Sequence, residues 1–100
     1  MMAKYRKERI NAELKRVLSN IFLMDLPIQQ DNIVSVLNVD VSKDLEEAKV
    51  YISVLKDRQK VLEKLEESKP YIRHLIGQKM KIRKIPNLNF ILVDDTHILV

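Results

Sequence analysis

The sequence predicts a single α+β domain in which three helices cover one face of a three-stranded sheet, in the order helix, strand, strand, helix, helix, strand. Three observations support this. Residues 4–24 carry an apolar stripe of helical period, residues 33–42 and 48–55 alternate apolar and polar side chains, and Pro27, Pro70 and Pro86 punctuate the periodic segments. No internal repeat, low-complexity stretch or shift in composition divides the 100 residues, so one domain is expected over 1–100.

In the first segment Ile10, Leu14, Val17, Leu18, Ile21 and Met24 recur at helical spacing, the pattern of an amphipathic helix with one buried side. The helix should stop near Asp25, because Pro27 disfavours helical backbone at Leu26 and cannot donate a helix hydrogen bond. In residues 33–42, Leu37, Val39 and Val41 fall on one face and Asn38, Asp40 and Ser42 on the other. Residues 48–55 place Ala48, Val50, Ile52 and Val54 inward and Lys49, Tyr51 and Ser53 outward. The intervening KDLEE is short enough to join these two strands as an antiparallel hairpin. Val61, Leu62 and Leu65 mark a helix over 57–67, and a further helix is expected over 70–83, burying Ile72, Leu75, Ile76 and Met80. Pro70 suits the first turn of that new helix and not the interior of an old one. Beyond Pro86, the alternation of Leu88, Phe90 and Leu92 predicts the third strand.

Composition narrows the function. Hydrophobic residues make up 46% and charged residues 32%, as in compact globular domains. There is no cysteine, which removes disulfides, thiolate nucleophiles and cysteine-ligated zinc together. No apolar run approaches the length of a membrane span and no leader is evident, so a soluble, cytoplasmic protein is expected. The two histidines, His74 and His97, have no metal-ligand partner at a diagnostic spacing. The acid pairs Glu46/Glu47, Glu66/Glu67 and Asp94/Asp95 read as turn and helix-end residues. With Gly77 the only glycine, neither a dinucleotide fingerprint nor a phosphate loop can be written. The expectation is a non-enzyme with no cofactor, metal or small-molecule substrate.

The net charge of +4 and a pI near 9.4 point to a polyanionic partner, and the charge is unevenly distributed. From residue 69 to 84 there are six basic residues (Lys69, Arg73, Lys79, Lys81, Arg83 and Lys84) and no acid. Arg73, Gly77 and Lys81 recur every four residues, so on a continuous helix they form one stripe along which phosphates could be neutralised, with the side-chain-free Gly77 allowing close approach. The bland reading is a solvated face, with Gly77 serving only tight packing. A second basic group opens the chain, where Arg9 and Arg16 flank the apolar stripe but Glu8 and Glu13 are near enough to pair with them. Tyr51, Val36, Ile91 and Val93 are expected on the sheet face away from the helices, where they could stack bases, dock a protein or simply complete the packing.

Three stretches resemble the ribosome-binding factor A family: YRKERINAELKRVLSNIF at the start, SKDLEEAKVYISVL across the hairpin, and IRHLIGQKMKIRKIPNLNFILVDD near the end. The last is the most specific, with Ile72, Arg73, Arg83, Pro86, Leu88, Phe90 and Asp94 at the family's positions. The resemblance implies a type II KH-like fold and a monomer that binds the small (30S) ribosomal subunit. It further implies action during late maturation and processing of 16S rRNA, often with a role in growth at low temperature. KH domains that bind RNA usually carry a GxxG loop between paired helices. The family has an interhelical kink at an Ala-x-Gly sequence instead, and here Ser68, Lys69 and Pro70 occupy that place. Where this chain stops, at Ile98, Leu99 and Val100, many relatives continue into an apolar segment and a polar tail, so the family's C-terminal tail is expected to be missing. The competing readings are another KH-like RNA- or ribosome-associated binder and a protein-interaction domain that uses the sheet face.

Overall fold

The computed structural model describes residues 2–28 and 31–93, so the expectations placed on Asp94, Asp95, His97 and the closing Ile98, Leu99 and Val100 lie outside the described residues. Six elements follow the expected order: α1 (Met2–Met24), β1 (Val34–Val41), β2 (Glu47–Val54), α2 (Arg58–Glu67), α3 (Lys69–Lys79) and β3 (Asn87–Leu92). This is the type II KH-like arrangement. The central strand is β2, antiparallel to β1 and parallel to β3. A parallel neighbour needs a crossover, and α2 and α3 provide it.

The core lies between the helices and one face of the sheet. Leu14, Val17, Leu18 and Ile21 of α1, which packs chiefly on β1, are buried in one core with Ala48, Val50, Ile52 and Val54 of β2. One residue of the expected stripe is corrected: Met24 is 73% exposed, and Phe22, at 1%, belongs to the core instead. At 100° per residue Phe22 and Met24 flank the stripe on opposite sides, so period alone does not choose between them. The Phe22 side wins because Phe90 of β3 is there, its ring centroid 6.2 Å away.

The first strand also departs from simple alternation. A bulge between Val36 and Asn38 shifts the register, so that Val34, Val36, Val39 and Val41 are all buried while Leu37 and Asn38 both face outward. One extra residue reverses the phase of everything before it. Val36 therefore points into the core rather than to the open face, and Leu37 to the open face rather than the core.

Helix α1 also protects the outer edge of β1. Asn11 Oδ1 accepts the Val41 backbone N–H at 2.8 Å, and Lys7 pairs with Asp40 at 3.3 Å. An edge N–H would otherwise depend on water or recruit another strand. Replacing Asn11 with alanine is expected to cost about 1–3 kcal/mol, because the part-buried donor loses its partner. Equilibrium denaturation would measure this, with Asn11→Asp, which keeps an acceptor, recovering most of the loss.

The β1–β2 turn is tied by side chains. The Ser42 hydroxyl donates to Asp44 Oδ1 at 2.7 Å, and the Glu46 N–H donates to the same oxygen at 3.1 Å. These two bonds hold the Asp44 carboxyl below its ordinary range. Their support for the turn is present above about pH 4 and lost as acid protonates the group.

The helix pair breaks at the expected place. Ser68 keeps helical backbone, donates to the carbonyls of Lys64 and Leu65, and accepts from the Ile72 N–H. Pro70 has no N–H for the Glu66 carbonyl, so the ladder is interrupted for about one turn and no loop intervenes. At its other end α3 is shorter than expected. It stops at Lys79, and Met80 is extended at φ −127°, ψ 145°. The pattern of 80–83 explains this: Met80 is buried, Lys81 exposed, Ile82 half-buried and Arg83 exposed, a period of two that a continued helix could not satisfy.

Candidate nucleic-acid interface

The early end of α3 breaks the expected stripe. Arg73 and Gly77 lie on the helix, but Lys81, Arg83 and Lys84 belong to the non-helical segment that leads to β3. That segment is anchored by Ile82 and Ile85, which pack against the core, and by the buried Pro86. Its basic side chains stand outward on a fixed backbone.

Arg73 and Gly77 contribute to this anchoring. Arg73 Nη2 donates to the Ile85 carbonyl at 2.8 Å, so its guanidinium braces the segment against α3. A Cβ built on Gly77 would lie 3.0 Å from Ile85 Cδ1, so the small residue leaves room for the tip of that side chain.

The acid-free run from 69 to 84 is not acid-free in space. Lys69 pairs with Glu66 at 2.7 Å and also sits 5.7 Å from the Phe90 ring centroid. Lys79 reaches Asp25 at 3.9 Å and Lys84 reaches Glu46 at 2.9 Å. These pairs are at least partly exposed and contribute little stability, about 0–1 kcal/mol each, but they lower the local positive charge. Lys81 and Arg83 have no ion-pair or hydrogen-bond partner among the described residues and are the least encumbered cations of the segment.

Arg9 and Arg16 are exposed on the outer side of α1, with Arg16 weakly paired to Glu13 at 3.9 Å. The pair between Lys79 and Asp25 brings the end of α3 to the end of α1. A groove beside α1 collects Glu8, Asn11, Lys15, Asn38, Asp40 and Tyr51, and its charges are mixed.

Chemistry of other kinds finds little here. Among the described residues, no polar or charged side chain is buried and no group of three His, Cys, Asp or Glu could hold a metal. His74 is exposed. No helix among the described residues is long and apolar enough to cross a membrane.

An apolar core, paired helices with no loop between them and an exposed basic segment place the chain in the class of small KH-like α+β domains. The chain belongs to the ribosome-binding factor A family, whose model matches residues 6–98. Ribosome-binding factor A of Clostridium tetani is 43% identical over 91 residues, covering 87% of this chain and 75% of that protein. The crystal structure of ribosome-binding factor A from Thermus thermophilus superposes with a TM-score of 0.76 at 24% identity, covering 86% of this chain and 94% of that one. A Thermus thermophilus homology model fitted into the cryo-EM map of a complex of that factor with the 30S subunit gives a TM-score of 0.71 at 23% identity. It covers 83% of this chain and 90% of that one.

Proposed function

We propose that this protein is a non-catalytic assembly factor that binds the small (30S) ribosomal subunit in the cytoplasm and assists late maturation of 16S rRNA. Family membership across residues 6–98 is the observation that carries the reading. The Thermus thermophilus factor of the same fold is placed on the 30S subunit, which supports the choice of partner. Within the chain, Lys81 and Arg83 are the proposed principal phosphate contacts. Lys84, Lys69 and Lys79 join them where RNA displaces their exposed carboxylate partners. Arg73 and Gly77 act by holding the segment in place, and Arg9 and Arg16 form a second, weaker contact. The protein acts as a monomer without cofactor, and its contribution is greatest in growth at low temperature.

Cosedimentation with purified subunits tests this. Binding to small subunits that carry precursor 16S rRNA is expected, with weaker binding to mature subunits and to unrelated structured RNA. Depleting the protein from cells should raise the fraction of unprocessed 16S rRNA. Equal binding to any structured RNA would make it a general KH-like RNA binder, and no subunit binding would end the proposal.

A further inference from the structure

Among the described residues, three lysines of the basic run have a carboxylate partner, and the partner of Lys84 is held differently from the other two. Glu66 lies three residues from Lys69 in the chain, and Asp25 reaches Lys79 only at 3.9 Å. Glu46 comes from the β1–β2 turn, 38 residues away, and its Oε1 accepts from Lys84 Nζ at 2.9 Å. Its backbone is tied on both sides. The Glu46 N–H donates to Ser42 Oγ at 3.2 Å and to Asp44 Oδ1 at 3.1 Å, and the Glu46 carbonyl accepts the Asn87 N–H at 2.9 Å. These bonds join the turn to the start of β3, while Ile82 and Ile85 anchor the segment that carries Lys84. An exposed pair usually loses much of its Coulomb gain to the ordering of two long side chains. Fixed backbones on both sides reduce that loss.

The pair lies in a groove between the turn, α3 and the basic segment, with Arg73, Arg83 and Lys84 facing Glu46 and Glu47. Arg73 is committed to the Ile85 carbonyl. Asp44 is close enough to Lys84 to feel its charge, but its carboxylate is taken up by the Ser42 hydroxyl and the Glu46 N–H. Glu47 has no ion pair among the described residues. Lys84 therefore has one specific partner here, and the same ammonium is a candidate phosphate contact. The Lys84 and Glu46 side chains are 53% and 58% exposed, so a phosphate can reach the ammonium with no change of fold. Carboxylate and phosphate both offer it an anionic oxygen, so the two compete.

We propose that Glu46 is a built-in competitor of RNA phosphate, an autoinhibitory contact that holds Lys84 in the free protein and is displaced when the basic segment binds. The inference rests on the proposed RNA contact and deepens it, since the affinity of the segment is then set below what its cations alone would give. Salt dependence changes as well. A phosphate contact releases a counterion, but a Glu46 left without Lys84 draws a cation back from solution, so the parent shows only part of the slope that Lys84 would otherwise contribute.

Glu46→Gln keeps the shape and the backbone bonds of the turn and removes the charge, so its melting curve should match the parent. Binding is measured across a salt series to small subunits carrying precursor 16S rRNA and, separately, to protein-free small-subunit rRNA. At about 50 mM salt the variant is expected to bind both about threefold to fivefold more tightly, the scale of an exposed ion pair. Its salt slope should be steeper by up to about 0.7 to 0.9, so the gain fades toward about 200 mM. Glu47→Gln removes the same charge from the same groove without releasing a lysine, and should gain less than about twofold. In a Lys84→Gln background, Glu46→Gln should add no more than Glu47→Gln does. Equal gains from the two glutamate variants, or a gain that survives in the Lys84→Gln background, would reduce Glu46 to general repulsion and overturn the inference. Unchanged or weaker binding by Glu46→Gln would overturn it too, leaving Glu46 a turn residue or an RNA contact in its own right. A parent that binds the rRNA but not subunits sinks the proposed function, while the variant series on rRNA still decides the competition; a parent that binds neither sinks both.

Discussion

Replacing Lys81, Arg83 and Lys84 together by glutamine is expected to lower affinity for small subunits most strongly at low salt and to flatten its salt dependence. Each phosphate contact removed lowers the slope of log K against log salt by about 0.9 on a duplex or about 0.7 on a single strand. If all three side chains make contact, the slope falls by about 2 to 3, and the gap between parent and variant narrows by about twentyfold to fortyfold between 50 and 200 mM salt. The fold should survive, since these side chains are exposed and the segment is anchored by Ile82, Ile85 and Pro86. Breaking the exposed pair of Lys84 and Glu46 adds at most about 1 kcal/mol. Arg73 is excluded from the set because its bond to the Ile85 carbonyl makes its removal a structural change. Parallel salt lines for parent and variant would show the segment to be a solvated face. A loss of the same size in Arg9→Gln with Arg16→Gln would place equal weight on α1.

Phe22→Ala is expected to cost about 3–5 kcal/mol, a large part of the roughly 5–15 kcal/mol available to a domain of this kind. The ring is 1% exposed, and its tilted contact with Phe90 joins α1 to β3 across the core. Lys69 at the start of α3 lies over the Phe90 ring, so the same cluster ties down the base of the helix that leads to the basic segment. The melting temperature should fall on the order of 15 °C or more. Met24→Ala, two residues away on the other flank of α1, is expected to change stability by less than about 0.5 kcal/mol. Similar melting points for the two variants would contradict the placement of Phe22 in the core.

The order of elements was legible because each segment carries its own period. Leu14, Val17, Leu18 and Ile21 can share a side only on a helix, and Ala48, Val50, Ile52 and Val54 only on a strand. Pro70 marks the break between α2 and α3 through a local property, its missing N–H. The end of α3 was legible too, in the alternation of Met80, Lys81, Ile82 and Arg83, although the longer helical period of 72–80 masks that short signal. Family resemblance reached the fold, because it rests on the whole pattern of residues rather than on any one site.

Composition and period thus determined a basic α+β domain with this strand and helix order, both of which depend on neighbours in sequence. The bulge at Leu37 and the choice of Phe22 over Met24 depend on which strand or ring lies opposite, and only tertiary packing supplies that. The same holds for charge. The basic run from 69 to 84 contains no acid, yet Asp25 and Glu46 come from 54 and 38 residues away in the chain to meet Lys79 and Lys84. Coulomb energy falls with distance through space, not along the sequence, so the fold decides which cations remain without a carboxylate beside them.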